Sequence, residues 1–300
     1  MDGPFLACDW GTTNLRAWLV GADGEVAERR DFPLGVSRLQ PGEAAERFRR
    51  EVRPALDADA LPVLMCGMIG STLGWKVAPY VDCPVDVEAL AARLLTVQDG
   101  EAPVRIVPGV RGPGLTAAPD LMRGEETQLF GWLEQDDRRA RGRRVVCHPG
   151  THAKWALIED GRIVRFATAM TGELFSTLTR HGVLKTDVPP DDEAAFLEGV
   201  EAADDGGALS ARLFSARSRV VGGGADPATA SSYLSGLLIG AEIAALARRF
   251  AEPDDPVALL GDEALTRWYR LAFEDRGLPC TVHSGDEAAV EGLKALYARL

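Results

Sequence analysis

The sequence predicts a mixed α/β protein organised as two similar lobes, and three observations carry that expectation. The opening segments read β-β-β-α-β-α-β, a mixed sheet with helices. A Gly-Thr hairpin unit occurs once in each half of the chain. The 300 residues, 46% of them hydrophobic, can fill two cores without a disulfide or a metal.

In order along the chain, Phe5-Leu6-Ala7-Cys8 is a short buried strand ending at Asp9, and residues 15–20 form a second. Ala22-Asp23-Gly24 is the turn between that strand and a third at 25–32, because Asp-Gly supplies the positive φ of a tight hairpin. Residues 42–56 read as a helix opened by Pro41, 62–68 as a buried strand, 85–97 as a helix and 104–107 as a strand. The Gly- and Pro-rich stretch 108–119 reads as a crossing loop. A helix follows at 125–135, and then a solvated charge run at 136–144. The second half repeats the scheme: a strand at 144–147, a hairpin across Glu159-Asp160-Gly161-Arg162, and helices at 171–184, 191–203, 209–217 and 227–250. A strand at 257–260, a helix at 262–276, a strand at 280–283 and a helix at 287–300 complete it. Gly222-Gly223-Gly224 follows a helical segment and reads as a helix–helix linker.

Composition narrows the function. Lys plus Arg is 33 and Asp plus Glu is 45, so the net charge of −12 argues against nucleic-acid or polybasic membrane binding. No run reaches the ~18 uninterrupted apolar residues of a membrane span. The opening Met1-Asp2-Gly3-Pro4 leads to no secretory pattern. The cysteines, Cys8, Cys66, Cys83, Cys147 and Cys280, form no C-x-x-C pair and read as buried thiols of a reducing cytoplasm. His148, His152, His181 and His283 show no metal-ligand spacing, and none is assigned a catalytic role.

The repeated unit carries the chemistry. One copy runs Asp9-Trp10-Gly11-Thr12-Thr13-Asn14-Leu15-Arg16-Ala17-Trp18 to Asp23-Gly24. The other runs Pro149-Gly150-Thr151-His152-Ala153-Lys154-Trp155 to Asp160-Gly161. The interval from the turn Gly to the hairpin Gly is 13 in one and 11 in the other, so the copies align with two residues of slippage. A tight Gly-Thr turn exposes backbone N–H groups and short hydroxyls, a nest for anions and phosphate above all. Two such turns, one per lobe, suggest a grip on a polyphosphate. Asp9 at a strand end suits a hydrated Mg²⁺, or caps its turn. Lys154 can neutralise phosphate, or is an exposed strand lysine. No G-x-x-x-x-G-K-[ST] and no G-x-G-x-x-G at a helix start is present.

Several blocks together carry a resemblance. They are Asp9 to Arg16; Gly67-Met68-Ile69-Gly70-Ser71 through Gly74-Trp75 to Pro79-Tyr80; Met122-Arg123-Gly124-Glu125-Glu126-Thr127-Gln128; Pro149 to Trp155; Met170-Thr171-Gly172-Glu173-Leu174; Ser235 to Glu242; and Leu260-Gly261. In combination they resemble the 2-dehydro-3-deoxygalactonokinase family from about Phe5 to Leu296. The resemblance implies an actin-like ATPase (ribonuclease H-like) fold, each lobe a mixed sheet of the five-stranded type flanked by helices. Its domains would be 1–117, 118–285 and a helix at 286–300 crossing back to the N-terminal lobe. It implies ATP and Mg²⁺ as cofactors and a cytoplasmic enzyme that phosphorylates the terminal hydroxyl of 2-dehydro-3-deoxygalactonate. Its partners would be a small sugar acid and ATP, with no nucleic acid or membrane, and a homo-oligomer left open.

Residue by residue, Gly11, Thr12, Thr13 and Asn14 would contact the γ-side phosphate, and Gly150, Thr151 and His152 the β side, with Lys154 beside them. Asp9 would hold the metal through water, and Gly261 marks the superfamily's adenosine motif. The base that orients the acceptor hydroxyl would be Glu125 or Glu126, although both could simply complement a helix N-terminus. Arg16, Arg111 and Arg123 are the cations for the substrate carboxylate. Gly70, Ser71 and Trp75 would form a wall along the sugar chain. Glu173 would bind substrate hydroxyls or cap its helix. Another sugar or sugar acid as acceptor, or a non-catalytic nucleotide or sugar sensor of the same fold, stays open; a carboxylate among the site residues favours an enzyme.

Overall fold

The computed structural model describes residues 3–100, 102–204, 207–252 and 254–300; Met1 and Asp2 of the opening lie outside them. The chain forms two compact units: one of residues 1–143, 158–166 and 285–300, the other of 144–157 and 167–284.

In the first unit the chain runs β1 (Phe5–Trp10), β2 (Leu15–Val20), β3 (Val26–Phe32), α1 (Ala44–Arg47), β4 (Val63–Gly67), β5 (Tyr80–Asp82), α2 (Val87–Ala91), β6 (Leu95–Asp99), β7 (Ala102–Ile106), β8 (Gly109–Pro113), β9 (Pro119–Met122) and α3 (Glu125–Glu134). Six strands form one sheet in the order β3-β2-β1-β4-β7-β6, one more than the expected five. β1–β2 and β2–β3 are antiparallel hairpin pairs, whereas β4 joins β1 and β7 in parallel. All six residues of β1 are buried, as a strand covered on both faces must be.

The second unit takes β10 (Arg143–His148), β11 (Ala153–Glu159), β12 (Arg162–Ala169), α4 (Thr171–Arg180), α5 (Glu193–Ala202), α6 (Leu209–Arg212), α7 (Ser215–Val221), α8 (Ala230–Phe250), β13 (Val257–Gly261), α9 (Glu263–Asp275) and β14 (Cys280–Ser284). Its sheet order, β12-β11-β10-β13-β14, repeats the β3-β2-β1-β4-β7 path of the first sheet. The sequence echo is therefore an echo of topology. The last helix, α10 (Gly285–Ala298), is counted with the first unit, where Tyr297 stacks on Phe5 of β1 at 3.8 Å.

Close glycine contacts set the helix positions. A Cβ on Gly131 of α3 would stand 1.9 Å from the Ala288 carbonyl oxygen, and one on Gly292 of α10 would stand 1.9 Å from that of Thr127. The two helices thus touch backbone to backbone, which fixes the N-terminus of α3. The first unit runs past the expected limit at 117 for this reason, and because β9 pairs with β8. In the second unit Gly236 of α8 meets the Phe196 carbonyl of α5 in the same manner. α8 is long and apolar enough by composition to cross a membrane, but 78% of that stretch is buried in the protein.

Several elements differ from their sequence expectation for identifiable reasons. The 42–56 helix is interrupted: the Arg53 N–H donates to the Phe48 carbonyl one residue further back than an α-helix allows, ahead of Pro54, which has no N–H to continue the ladder. Of the 85–97 helix only α2 is helical. Residues from Leu95 turn at Gly100 (φ 69°) and pair antiparallel with β7, and that sheet pairing overrides weak helical periodicity. The 108–119 loop instead contains β8, the centre of a three-stranded sheet β5-β8-β9. Gly112 is needed there, because a Cβ would press to 2.9 Å from the Phe166 ring. The 171–184 helix ends at Arg180, before Gly182 (φ 73°), and the 209–217 helix divides into α6 and α7. Gly222-Gly223-Gly224 does link two helices, α7 and α8.

Candidate active site

In the first unit the β1–β2 turn is tied from below. The Gly11 N–H donates to the Asn14 carbonyl at 2.9 Å. The Val36 and Ser37 N–H groups donate to the Gly11 and Thr12 carbonyls at 3.1 Å each. Gly35 has no alternative, since a Cβ there would fall 2.1 Å from the Thr12 carbonyl oxygen. Thr12, Thr13 and Asn14 stay exposed, and among the described residues nothing accepts from the Thr12 or Thr13 N–H. A turn with engaged carbonyls and open amides can receive an anion.

Asp9, two residues before that turn, is 5% exposed. Its Oδ2 accepts from Arg16 Nη2 at 2.6 Å, and the other side of the Arg16 guanidinium pairs with Asp286 at the start of α10. Burial pushes the Asp9 carboxyl up; the Arg16 charge pulls it down, and Asp286 and Glu125 add to the rise. Arg16 is therefore occupied by two carboxylates. Beside Asp9, Gly67 (φ 88°) ends β4, and a Cβ on it would lie 3.1 Å from Asp9 Oδ1. Gly124 (φ 112°) in turn touches Gly67: its Cβ would lie 3.2 Å from the Gly67 Cα. Two left-handed glycines, cheap for no other residue, thus bring the start of α3 against the end of β1.

At that start, Glu125 is partly exposed and its Oε2 accepts from the Arg123 N–H at 3.0 Å. Glu126 points the other way. It is fully buried, accepting from the Gly124 N–H at 2.8 Å and from the Thr127 hydroxyl at 3.2 Å. A base must reach solvent-borne substrate, so of the two expected candidates Glu126 is withdrawn by its burial and Glu125 remains. Burial, reinforced by the Glu125 charge, lifts the Glu126 carboxyl to about 7. Such a group ionises earlier in the unfolded chain than in the fold. Its stabilising contribution is full below the unfolded value, declines as pH rises towards 7, and is gone above it. Glu126→Gln should flatten the stability profile between about pH 5 and 7 and gain on the parent at pH 8 by up to about 3 kcal/mol. Urea denaturation across that range checks this; an unchanged slope would contradict it.

Arg123 crosses from the α3 turn to the 70–80 segment. Nη2 donates to the Ala78 carbonyl at 2.8 Å and the guanidinium lies 4.5 Å from the Tyr80 ring centre. Nε and Nη1 are buried and make no hydrogen bond among the described residues. Gly70 makes room for the guanidinium, because a Cβ there would sit 2.7 Å from Nη1. The other expected substrate groups are differently engaged. Ser71 Oγ donates to the Met68 carbonyl at 2.7 Å, and Trp75 packs on the core ring of Phe48 at 5.9 Å. Arg111 makes a two-pronged pair with Asp82 at 2.5 and 2.8 Å.

In the second unit, the 149–152 turn is buttressed by α4. A Cβ on Gly172 would fall 2.5 Å from the Gly150 carbonyl oxygen, and the Glu173 N–H donates to the Thr151 carbonyl at 2.9 Å. Thr151 and His152 are exposed, and the Glu173 carboxylate pairs with His152 Nε2 rather than capping its helix. Lys154 is buried on β11, its ammonium donating to the His152 carbonyl at 3.2 Å. Gly261, at the end of β13, lies against the same turn, its Cβ position 3.5 Å from the Pro149 carbonyl oxygen. Asp262 follows and caps α9 through the Ala264 and Leu265 N–H groups. Between α4, α8 and α9 opens a cavity of about 280 Å³, largely apolar, bounded by Gly150, Thr171, Phe175, Ser235, Leu238 and Trp268 among others. The hydroxyl of Ser235 makes no hydrogen bond among the described residues.

Sequence reasoning placed Gly67, Gly124 and Glu242 in the resembling blocks without giving any of them a role, and it did not single out Asp286. Glu242 could have been noticed as the lone acid within an apolar helix. Asp286 could not, since it meets Arg16 across 270 positions of chain.

A Rhizobium meliloti relative, named as a candidate 2-dehydro-3-deoxygalactonokinase, is 38% identical over 98% of this chain and 96% of its own length. The 2-dehydro-3-deoxygalactonokinase of Escherichia coli K12 is 35% identical over 99% of this chain and 98% of its own. A crystal structure from Sinorhizobium meliloti, also of a candidate 2-dehydro-3-deoxygalactonokinase, superimposes with a TM-score of 0.86 at 36% identity, covering 97% of each chain. An activator of 2-hydroxyisocaproyl-CoA dehydratase from Clostridium difficile, solved with ADPNP, shares only the fold, at 11% identity and a TM-score of 0.51 over 99% of this chain and 94% of that one. The fold is thus the actin-like ATPase fold expected from the sequence. The family described as 2-keto-3-deoxy-galactonokinase matches residues 9–296, and together with the full-length relatives this shows that the chain belongs to the 2-keto-3-deoxy-galactonokinase family.

Proposed function

We propose that this protein transfers the γ-phosphoryl group of ATP to the terminal (6-) hydroxyl of 2-dehydro-3-deoxy-D-galactonate, giving the 6-phosphate and ADP. The observation that carries the reading is the meeting of Asp9 and Glu125 across the Gly67–Gly124 contact, beside an exposed turn with open amides. Phosphoryl transfer needs positioning and charge stabilisation more than covalent chemistry, and these groups supply both.

Each residue then has a task. The 11–14 turn is the phosphate-binding turn of the first unit and the 150–152 turn that of the second, where Lys154 adds a cation. The cavity beside Gly261 takes the adenosine: its apolar walls suit a purine, and Ser235 offers a hydroxyl with no competing partner. Glu125 orients the acceptor hydroxyl and takes its proton as the new P–O bond forms. Arg123, held by the Ala78 carbonyl and the Tyr80 ring, is the cation left for the substrate carboxylate, since Arg16 and Arg111 are each paired with carboxylates. No cluster of three metal-ligating side chains occurs among the described residues. A magnesium ion held mainly by phosphate oxygens and water requires no more than one or two carboxylates, and Asp9 fits that demand. When bound, it would draw charge off the phosphate oxygens. Arg16 and Asp286 keep Asp9 placed rather than binding substrate. A cytoplasmic setting, with ATP at hand and five unpaired cysteines, suits the same reading.

The test is ADP release by the purified protein across keto-deoxy sugar acids, aldonates and free neutral sugars. Turnover should be confined to the keto-deoxy acids, with the galactonate-derived compound preferred. Turnover of neutral sugars instead, or ADP release with no acceptor at all, would overturn the assignment.

A further inference from the structure

The second unit keeps a carboxylate in its core. Glu242 of α8 is 6% exposed and takes donors from several elements. Oε1 accepts from Trp155 Nε1 on β11 at 2.8 Å. Oε2 accepts from Tyr269 Oη on α9 at 2.8 Å and from Thr171 Oγ1 in the first turn of α4. Cys147 Sγ of β10 lies 4.0 Å from Oε1. Burial drives this carboxyl up and the three hydrogen bonds pull it down, the balance remaining above the ordinary range. An ionisable group at such a place is a poor means of packing, because apolar residues of similar volume do that at least as well. What it does supply is direction: one carboxylate fixes the orientation of three side chains.

Two of those three line the 280 Å³ cavity, Thr171 and Tyr269, and α8 contributes Ser235, Leu238 and Ile239 to the same cavity. Thr171 also precedes Gly172 and Glu173, the residues seated on the Gly150–Thr151 turn. We propose that Glu242 is a positioning residue for nucleotide binding, holding the Thr171 and Tyr269 hydroxyls so that the cavity walls and the second phosphate turn keep one geometry. This rests on the reading of the cavity as the nucleotide site. Glu242 itself touches no nucleotide; it acts through α4 and α9.

Glu242→Gln keeps the volume but turns one acceptor into a donor facing groups that already donate. It should raise KM for ATP, and the calorimetric Kd of a non-hydrolysable ATP analogue, by about 10-fold or more. KM for the sugar acid should stay within about twofold, since Glu125 and Arg123, which the proposed function assigns to that substrate, belong to the first unit. Thr171→Val should move the nucleotide constants in the same direction by less, and adding it to Glu242→Gln should cost little more, because the two remove one interaction. Nucleotide constants unchanged in Glu242→Gln would overturn the proposal, as would an equal rise in both KM values with a lowered Tm. If Glu242→Gln does not fold, Thr171→Val and Tyr269→Phe carry the test, each keeping the carboxylate and each expected to weaken the analogue several-fold. Leu238→Trp, which fills the cavity, separates the premises. Full analogue affinity in that variant removes the nucleotide reading of the cavity, whereas lost affinity there with an unaffected Glu242→Gln removes the positioning role alone.

Discussion

Glu125→Gln is expected to lower kcat by about 10²–10⁴-fold while KM for ATP stays within about twofold. The magnitude follows from the role: a positioned base acts only as the acceptor oxygen attacks, so its loss is felt in the transition state and not in nucleotide binding. The substitution is conservative for the fold. The amide oxygen can still accept from the Arg123 N–H, as Glu125 Oε2 does at 3.0 Å, so the turn into α3 should persist. Steady-state kinetics with the sugar acid, beside a melting curve, distinguish the cases. A variant that melts early and loses kcat has lost the turn; one that melts normally and keeps most of its activity shows that Glu125 serves only the helix N-terminus, the alternative its position in the first turn of α3 also allows. Glu126→Gln is the internal control, since Glu126 is buried and should alter the pH dependence of stability much more than kcat.

The contrast between these neighbours shows where the sequence stops being informative. Adjacent glutamates are equivalent in a string; a helix turns them about 100° apart, and only packing of α3 on α10 decides which one faces inward. Local signals were legible. The Asp-Gly turns adopt positive φ at Gly24 and Gly161, and the two Gly-Thr turns sit at the tips of matching hairpins in sheets of matching order. Non-local ones were not. Gly67 and Gly124 look like ordinary loop glycines until their backbones touch, and the Arg16–Asp286 pair closes a loop of 270 residues. The same limit explains the helix expected at 85–97. Its second half has a better partner in β7, and a strand partner is invisible to any periodicity within the segment. Arg111 and Arg123 were likewise equal candidates, and they separate only because Asp82 stands opposite Arg111 on the neighbouring strand.

Arg123→Met should raise KM for the sugar acid by about 100-fold and leave KM for ATP nearly unchanged. The guanidinium is held at one end by the Ala78 carbonyl and along its face by Tyr80, while Nε and Nη1 remain without hydrogen bonds among the described residues. A guanidinium presents parallel N–H pairs to a carboxylate along its Nε–Nη2 or Nη1–Nη2 edge, so geometry as well as charge should matter. Arg123→Lys is therefore expected to recover little, because an ammonium offers a point charge in place of a fork. Gly70 belongs to the same argument: it is small because the guanidinium fills the place of its Cβ, so Gly70→Ala should weaken the sugar acid in the direction of Arg123→Met. A neutral acceptor of equal chain length provides the decisive comparison. If Arg123 recognises a carboxylate, the parent and Arg123→Met should use that acceptor equally poorly, and their difference should appear only with the acid. If instead Arg123→Met loses thermal stability and treats both acceptors alike, the side chain is a strut between α3 and the 70–80 segment, and the substrate's charge must be met elsewhere.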